Sequence, residues 1–387
     1  MPDSQTAYRM ALRALLQENV YPYVEDWEKT QTFPRHILHM LGQEGLFAPC
    51  FPTVTATDAQ KLPLQVRMLR ILIEELAKAY CFGLTLSVSM HIGVFLPLIL
   101  RLAQPEVRDL LLEPTLRGEA LGTIAATEAN VAGSDFMGME CTAQFKPECI
   151  VLTGHKHYIT NAAVADYVIV FARWRPGRHF ANFCALLVPT RLAGIRSTPV
   201  PMAVMKTAVI SRIEFHDVEL PLCYLLGRKE LGMRYFLQHI AIERLSGSIW
   251  AAVVADQCLA ETQRYTTQRY VEQKTLWSRS SVSHRIAQSV VQVTLLRALV
   301  EQSLAQIDEN GEIDPFAAAV MKAAVAPMME SIMGTCLQLQ GARGLEAHSP
   351  LLRLLNEFRV FGVAGGSTET MLDIIAELWA QRCAQTD

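Results

Sequence analysis

The spacing of apolar and polar residues changes twice along this chain of 387 residues. Residues 1–118 and 226–387 carry apolar positions three and four residues apart, which predicts amphipathic helices. Between them, residues 119–225 hold short apolar runs separated by turn residues, which indicates antiparallel strands. The pattern predicts three domains: an N-terminal helical domain (1–118), a middle β domain (119–225) and a C-terminal helical domain (226–387).

Individual elements can be placed within this layout. The helical spacing predicts helices over 6–17, 35–44 and 64–79 before the middle region, and over 232–270, 283–305, 315–339 and 368–382 after it. The apolar runs of the middle region predict strands over 120–127, 141–154 (two runs), 166–173, 180–189 and 212–221. The chain therefore follows the order helices, strands, helices.

One apolar segment is long enough to cross a membrane. Residues 81–100 contain no Asp, Glu, Lys or Arg, and their length meets the criterion for a membrane span. The same segment holds hydroxyl side chains, His91, Pro97 and two glycines. We therefore expect a buried core helix and no membrane span.

Composition narrows the class of protein. With 51% hydrophobic and 19% charged residues, the chain has the balance of a soluble globular protein. A formal net charge of -3 gives no electrostatic reason to expect a nucleic-acid partner. The nine cysteines show no metal-ligand spacing, so we expect no metal and no disulfide framework. No secretory leader opens the sequence, and the expected location is cytoplasmic.

Two motifs in the middle region carry candidate chemistry. The first is Thr127-Glu128-Ala129-Asn130-Val131-Ala132-Gly133-Ser134-Asp135, and the second is Tyr158-Ile159-Thr160-Asn161. A Gly-Ser-Asp loop at a strand end offers backbone amides and a hydroxyl to a polar ligand. Either motif alone is also typical of an ordinary β-turn.

Taken together and in this order, the motifs resemble those of the acyl-CoA dehydrogenase family, over essentially the whole chain. Its members carry Thr-Glu-Pro-x-Ala-Gly-Ser-Asp and then Trp-Ile-Thr-Asn, and Gly118-Glu119 matches the lead-in to the first motif. The resemblance implies an α+β fold with an N-terminal α-helical domain, a middle antiparallel β-barrel-like domain and a C-terminal four-helix bundle. It also implies FAD as cofactor and oxidation of the α–β bond of an acyl thioester.

The catalytic base is the first departure from the common family pattern. In much of the family the base is the glutamate of Tyr-Glu-Gly-Thr-x-Glu, where this chain has Gly365, which cannot accept a proton. A branch that includes the isovaleryl-CoA and long-chain acyl-CoA dehydrogenases has the base in a Glu-Arg pair, matched here by Glu243-Arg244. The resemblance implies Glu243 as base, with Ser134, Arg244 and Gly365 at the substrate. The alternative for Glu243 is an ordinary surface acid on a helix.

The flavin contacts carry over residue by residue. Thr127 matches the threonine at the isoalloxazine, Thr160 the hydroxyl near N5, and Tyr158 the tryptophan that covers the ring. One residue more than usual lies between Thr127 and Ser134. The full set assigned to the cofactor is Ala126, Thr127, Ser134, Tyr158, Thr160, Gln338, Gly341, Ala342, Ser367 and Glu369. For Ser367 and Glu369, helix capping is the alternative.

A second departure concerns the neighbouring subunit. Family members have Glu-Arg-x-x-Phe-Gly after the first long helix of the bundle, where arginine and phenylalanine reach the partner's FAD. We match this run to 272–277, which puts Gln273 in place of the arginine, and Lys274 substitutes only in part. This matching implies a weakened FAD site, or a mixed oligomer in which a paralogue supplies the missing residues.

Three functions remain open at this point. The first is dehydrogenation of an acyl thioester carried by CoA or by a carrier protein, as in natural-product (secondary) metabolism, with a flavoprotein or oxygen as electron acceptor. The second is a flavin-dependent oxygenase or oxidase on the same fold. The third is a non-catalytic subunit that pairs with an active paralogue. The expected assembly is a homodimer or homotetramer.

Overall fold

The computed structural model describes residues 3–51, 64–310 and 312–384. The chain forms two compact units, the first made of residues 1–72 and 81–243 and the second of residues 73–80 and 244–387. The N-terminal helices and the β-strands share the first unit. The proposed domain boundaries near residues 118 and 225 stay predictions.

Helices begin the first unit. They are α1 (Ser4–Asn19), α2 (Val24–Thr30), α3 (His36–Gln43), α4 (Val66–Ala77, which runs on into the second unit), α5 (Phe82–Val88), α6 (Leu96–Leu102) and α7 (Pro105–Leu116). The helices predicted over 6–17, 35–44 and 64–79 are confirmed as α1, α3 and α4. The sequence prediction missed α2, a single short element of seven residues.

The apolar segment is one helical stretch with a π-helical centre, Ser89–Phe95, between α5 and α6. Pro97 cannot donate a backbone hydrogen bond, and irregular helical turns commonly accompany such a gap. Phe82–Leu102 and Pro315–Leu345 both have the length and apolarity of a membrane span, but 89% of the first is buried inside the protein and 50% of the second. The first is thus the core helix that the sequence predicted.

A seven-stranded sheet completes the first unit. Its strands are β1 (Gly122–Ala125), β2 (Thr142–Phe145), β3 (Cys149–Ile159), β4 (Tyr167–Arg173), β5 (Phe183–Pro189), β6 (Ile195–Pro199) and β7 (Ser211–Pro221). The order is β1-β4-β2-β3-β7-β6, and β5 pairs with β4. Consecutive β4 residues such as Ile169 and Val170 point to opposite faces of the sheet and lie in different apolar clusters. β4 is therefore buried on both faces.

The sheet is mixed, which corrects the expectation of a wholly antiparallel domain. β1 pairs with β4 in parallel, and one residue pair between β2 and β4 is also parallel. The β2–β3 hairpin separates β1 from β4 in sequence, so the chain returns beside β1 in the same direction. The Asp166 carboxylate fixes the start of this pairing, because it accepts a hydrogen bond from the amide of Leu121 over 2.8 Å.

The second unit is helical. Its elements are the C-terminal part of α8 (Gly232–Gln268), a small hairpin of β8 (Tyr270–Val271) and β9 (Lys274–Thr275), α9 (Ser280–Asn310), α10 (Pro315–Gln340), α11 (Pro350–Phe358) and α12 (Thr368–Ala384). The four long helices predicted here are confirmed as α8, α9, α10 and α12. Trp250 anchors the interior, with its ring 4.7 Å from that of Phe358 and 5.7 Å from that of Phe361.

Candidate active site

The two motifs of the middle region meet in the structure. The backbone amide of His157 donates to the carbonyl oxygen of Thr127 over 2.9 Å, which places Thr127 beside the end of β3. The loop then folds back, since a Cβ on Gly133 would lie 3.8 Å from the Thr127 side chain. Gly133 thus lies close to Thr127 despite the additional residue of this loop, and the stretch 129–132 between them is largely exposed.

Three hydroxyl groups at this point are available to a ligand. Among the described residues, none hydrogen-bonds to the side-chain oxygen of Thr127, Ser134 or Thr160. The Tyr158 side chain is 56% exposed, although aromatic rings of this size are normally covered. The His157 ring contacts Tyr158 edge to face, with 4.3 Å between the ring centroids, and the tyrosine otherwise stays exposed. Free hydroxyls and an exposed aromatic side chain in these two motifs fit a flat, polar-edged ring such as the isoalloxazine of FAD.

The end of β3 has an unusual backbone that holds these groups in place. Tyr158 and Asn161 both have positive φ angles, +58° and +64°. Asn161 is fully buried, and its Oδ1 accepts a hydrogen bond from Ser87 of α5 over 2.8 Å. The Thr123 hydroxyl donates to the carbonyl oxygen of Thr160 over 2.8 Å. The sequence motif included Asn161, but its anchoring role became visible only in the structure.

Ala126 makes a contact that the sequence did not reveal. Its carbonyl oxygen accepts a hydrogen bond from the buried Lys156 ammonium over 2.9 Å. That carbonyl oxygen is therefore used in an internal hydrogen bond of the protein. A direct role of Ala126 at the cofactor stays a prediction.

Glu243 lies in a largely buried stretch of α8. The four residues before it, 239–242, are buried, as are Leu245 and Ser246, whereas Glu243 is half-buried. An ordinary surface glutamate would lie on an exposed face of its helix. The burial of its neighbours supports the expectation that Glu243 borders an enclosed space.

His239, one helical turn before Glu243, is a buried polar group that the sequence analysis did not single out. Its Nδ1 donates to the carbonyl oxygen of Tyr235 over 2.8 Å, which leaves Nε2 as an acceptor. No described residue hydrogen-bonds to Nε2. Burial lowers the pKa of His239 to about 4, so the ring is neutral at physiological pH.

Arg244 and Gly365 are brought together, as their common assignment requires. Arg244 Nε donates to the carbonyl oxygen of Gly365 over 3.0 Å. Gly365 and Gly366 have φ angles of +69° and +100°, in the region where residues with a Cβ are strained. The backbone at position 365 thus favours glycine over the glutamate found there in much of the family.

Ser367 caps α12. Its Oγ accepts a hydrogen bond from the amide of Thr370 over 3.2 Å, the usual N-cap arrangement. Glu369 is exposed in the first turn of the same helix, where an acidic group complements the helix dipole. The capping alternative is therefore observed, and a flavin contact by Ser367 or Glu369 stays a prediction.

Gln338, Gly341 and Ala342 form an exposed group at the C-terminal end of α10. The neighbouring Gln340 hydrogen-bonds to Thr262 of α8 over 3.0 Å. Thr262 follows Arg244 by 18 residues on one helix, which is about 27 Å at 1.5 Å per residue. The Gln338 group and the Arg244–Gly365 group thus lie toward different ends of α8.

The end of α8 corrects the matching of the arginine motif. The helix ends at Gln268, so the first residue after it is Arg269, and the run is Gln268-Arg269-Tyr270-Val271-Glu272-Gln273. Gln273 has a φ of +66°, the conformation expected where the motif has glycine. Arg269 therefore fits the arginine position, and Glu272 and Gln273 replace the phenylalanine and the glycine.

Comparisons with known proteins agree with this fold and these motifs. The family descriptions of the acyl-CoA dehydrogenase N-terminal, middle and C-terminal domains match residues 2–119, 123–218 and 230–379. The chain belongs to the acyl-CoA dehydrogenase family, and it is a flavin oxidoreductase with FAD as cofactor.

Similar proteins cover nearly the whole chain. The long-chain specific acyl-CoA dehydrogenase of rat (Rattus norvegicus) mitochondria is 29% identical over 372 residues, which is 95% of this chain and 85% of the relative. The acyl-[acyl-carrier-protein] dehydrogenase MbtN of Mycobacterium sp. (strain MCS) is 25% identical over 374 residues, with 95% and 92% covered. The solved FAD complex of PigA has the same fold, with a TM-score of 0.89, 22% identity and 99% of both chains covered.

Proposed function

We propose that the protein catalyses α,β-dehydrogenation of an acyl thioester, with Glu243 as the base that removes the α-proton. The observation that carries this assignment is the enclosed position of Glu243 on α8. Position 365, the alternative place for a base, holds a glycine with positive φ that is bonded to Arg244. Glu243 is thus the acid available for the reaction.

We assign the remaining site residues to binding and orienting the flavin and the acyl thioester. The hydroxyls of Thr127, Ser134 and Thr160 would contact the flavin ring, Tyr158 would cover it, and Ser134 with the Arg244–Gly365 pair would hold the thioester. FAD, when bound, supplies the acceptor for the β-hydride, so that loss of one proton and one hydride creates the carbon–carbon double bond. A general base must lie within hydrogen-bond reach of the proton that it removes, and the half-buried Glu243 carboxylate is partly shielded from bulk water.

We propose a homo-oligomer in which one subunit completes the flavin site of the next. The exposed Gln338 group lies about 27 Å along α8 from the Arg244–Gly365 pair. Arg269 follows the end of the helix, about 36 Å from Arg244, and both separations favour contacts to two different flavins. With an arginine retained at 269, the chain no longer requires a paralogue to supply this charge. The hypothesis of a non-catalytic subunit rested on the missing arginine, so the main argument for it is removed.

The carrier of the acyl group is the finer part of the proposal. Relatives include an enzyme of acyl-CoA and one of acyl-[acyl-carrier-protein]. We propose a pantetheine thioester, with the carrier-protein form preferred because the C-terminal motif diverges, with Gly365 in place of the glutamate. A flavoprotein or oxygen would reoxidise the flavin, and the proposed location is cytoplasmic.

The test is the visible spectrum of the purified protein before and after anaerobic addition of acyl thioesters. Stoichiometric flavin that bleaches with acyl-CoA or with acyl-loaded carrier protein supports dehydrogenation, and the pair of substrates separates the two carriers. Bound flavin that no thioester bleaches, but that reoxidises rapidly in air with oxygen transfer to a product, would replace the proposal with an oxygenase. A colourless protein that takes up no added FAD would point to a non-catalytic subunit.

A further inference from the structure

A buried ion pair joins a residue of the first motif, Glu128, to Lys156, which precedes the second motif by two residues. Lys156 Nζ is 2.8 Å from Glu128 Oε1, and the two side chains are 0% and 1% exposed. The carboxylate also accepts hydrogen bonds from the amides of Glu140 (2.6 Å) and Cys141 (3.0 Å). Burial raises the pKa of Glu128, but Lys156 and the two amides outweigh it and hold the pKa below its ordinary value.

The pair joins three separate segments of the first unit. Glu128 follows Thr127 directly, and Lys156 precedes Tyr158 by two residues. Through the amides of Glu140 and Cys141, the same carboxylate closes the loop 129–139, which carries Ser134. The positions of the hydroxyl groups of Thr127 and Ser134 and of the Tyr158 ring therefore depend on one buried cluster of polar groups.

Regular strand pairing is interrupted near the end of β3. The register between β3 and β7 shifts between Lys156 and Ile159, and Tyr158 lies within that shift with a φ of +58°. Within this interruption the His157 amide bonds to the carbonyl oxygen of Thr127, and pairing with β7 resumes at Ile159, opposite Ser211. A side-chain anchor at Lys156 supplies the alignment that the strand ladder lacks there.

A buried ion pair is a weak way to stabilise a fold. Desolvation of two charges offsets much of their attraction, and apolar residues of similar volume commonly stabilise a protein as well or better. The cluster has four hydrogen bonds: two donated by Lys156, to Glu128 and to the carbonyl oxygen of Ala126, and two accepted by Glu128 from backbone amides. Because hydrogen bonds are directional, they specify the positions of the segments that they join. The geometry thus suits alignment better than added stability.

We propose that Glu128 and Lys156 are positioning residues that hold Thr127, Ser134 and Tyr158 in the arrangement that binds the flavin. The inference rests on the proposed function only in that these residues must face the flavin. It assigns no contact between the pair and FAD itself.

The test compares FAD affinity with folding stability in the same variants. Lys156→Met and Glu128→Gln each leave one buried group without its partner, so both should lower the stability and weaken FAD binding. The double variant Glu128→Gln/Lys156→Met removes both charges. We expect its stability toward urea to recover relative to the single variants, while its dissociation constant for FAD stays roughly tenfold or more above the wild-type value.

FAD titration of the deflavinated proteins, followed by flavin fluorescence and the visible spectrum, measures the affinity. If the double variant is folded and binds FAD as the wild type does, the pair only supports the fold and the inference is wrong. Should the neutral variants not fold, Glu128→Asp retains the charge but withdraws the carboxylate from the two amides. Unchanged FAD affinity in folded Glu128→Asp would overturn the inference equally.

Asp166→Asn provides a matched control. Asp166 pairs with Arg35 and accepts the Leu121 amide at the opposite end of β1. This variant should lower the stability but keep FAD affinity within about twofold of wild type. Wild-type protein that binds FAD but is not bleached by thioesters would refute the proposed function alone, because the affinity comparison needs no turnover.

Discussion

Arg244 and Gly365 are 121 residues apart in sequence, and a single hydrogen bond of 3.0 Å joins Arg244 Nε to the glycine carbonyl oxygen. The bond holds the segment before α12 in a conformation with φ of +69° at Gly365. A side chain at this position would have to adopt the left-handed region, which is costly for residues with a Cβ. The hydrogen bond thus connects Arg244, which follows the proposed base Glu243, to Gly365, the position where much of the family has its catalytic glutamate.

Replacement of Gly365 by alanine is expected to lower the free energy of unfolding by about 1–2 kcal/mol, because alanine at positive φ is strained. Urea denaturation of the apoprotein measures the change. Gly334 is the matched control, since it lies inside α10 and a Cβ there would meet no atom within 4 Å. Gly334→Ala should raise the stability by about 0.5–1 kcal/mol. Equal effects of the two substitutions would contradict the role assigned to the backbone at 365.

Glu243→Gln should abolish proton abstraction while leaving the flavin bound. The amide has nearly the shape of the carboxylate but cannot act as a base, and loss of a general base typically costs about 10²–10⁴ in rate. The rate of anaerobic flavin bleaching by an acyl thioester is the measurement. Glu230→Gln, at a weak ion pair with Arg228 before α8, should bleach at the wild-type rate. Unchanged bleaching in Glu243→Gln would remove this residue from the reaction.

Tyr158→Ala is expected to weaken FAD binding, because it removes an aromatic side chain that is 56% exposed and follows His157, whose amide bonds to Thr127. Stacking of aromatic groups contributes about 0.5–1.5 kcal/mol, which corresponds to a roughly twofold to tenfold higher dissociation constant. Tyr158→Trp should preserve affinity and quench flavin fluorescence at least as strongly. Titration of deflavinated protein with FAD distinguishes the variants, and identical affinity in Tyr158→Ala would argue against ring coverage.

The two alignments of the arginine motif make opposite predictions. If Arg269 contacts the FAD phosphates of a neighbouring subunit, Arg269→Met should weaken FAD binding about tenfold, since a charge-assisted contact is lost. Gln273→Gly, which places glycine at a φ of +66°, should leave the affinity unchanged. Titrations with FAD at several protein concentrations would show whether binding is coupled to assembly. Greater loss in Gln273→Gly than in Arg269→Met would restore the original matching.

The order of helices and strands followed from the spacing of apolar residues and turn residues, although the long helices α8, α9 and α10 are only weakly amphipathic. Parallel pairing of β1 with β4 was missed, since two strands separated by a hairpin carry no sequence signal of their relative direction. The Thr127 and Tyr158 motifs were found because their spacing is local. In contrast, the role of Lys156 depends on contacts with Ala126 and Glu128, about 30 residues away, and a lone lysine in a strand gives no indication of burial. The arginine motif was matched from the sequence to 272–277, whereas the observed end of α8 at Gln268 favours Arg269 as its arginine.

Two buried histidines predict how stability depends on pH. Burial lowers the pKa of His91 and of His239 to about 4, against an ordinary value of 6.5. Between pH 6.5 and 4 the unfolded chain binds a proton at each position that the folded protein does not, so acidification lowers the stability. The loss should be about 2 kcal/mol per histidine between pH 7 and pH 5.

His91→Gln tests this dependence directly. His91 accepts the Gly122 amide at Nδ1 and lies 3.1 Å from the carbonyl oxygen of Thr115 at Nε2, and glutamine offers one acceptor and one donor without a titrating group. Whatever its stability at pH 7, the variant should lose about 2 kcal/mol less than the wild type on moving to pH 5. Urea unfolding at pH 7, 6 and 5 gives both curves. Parallel curves would show that His91 takes up its proton in the folded protein as readily as in the unfolded chain.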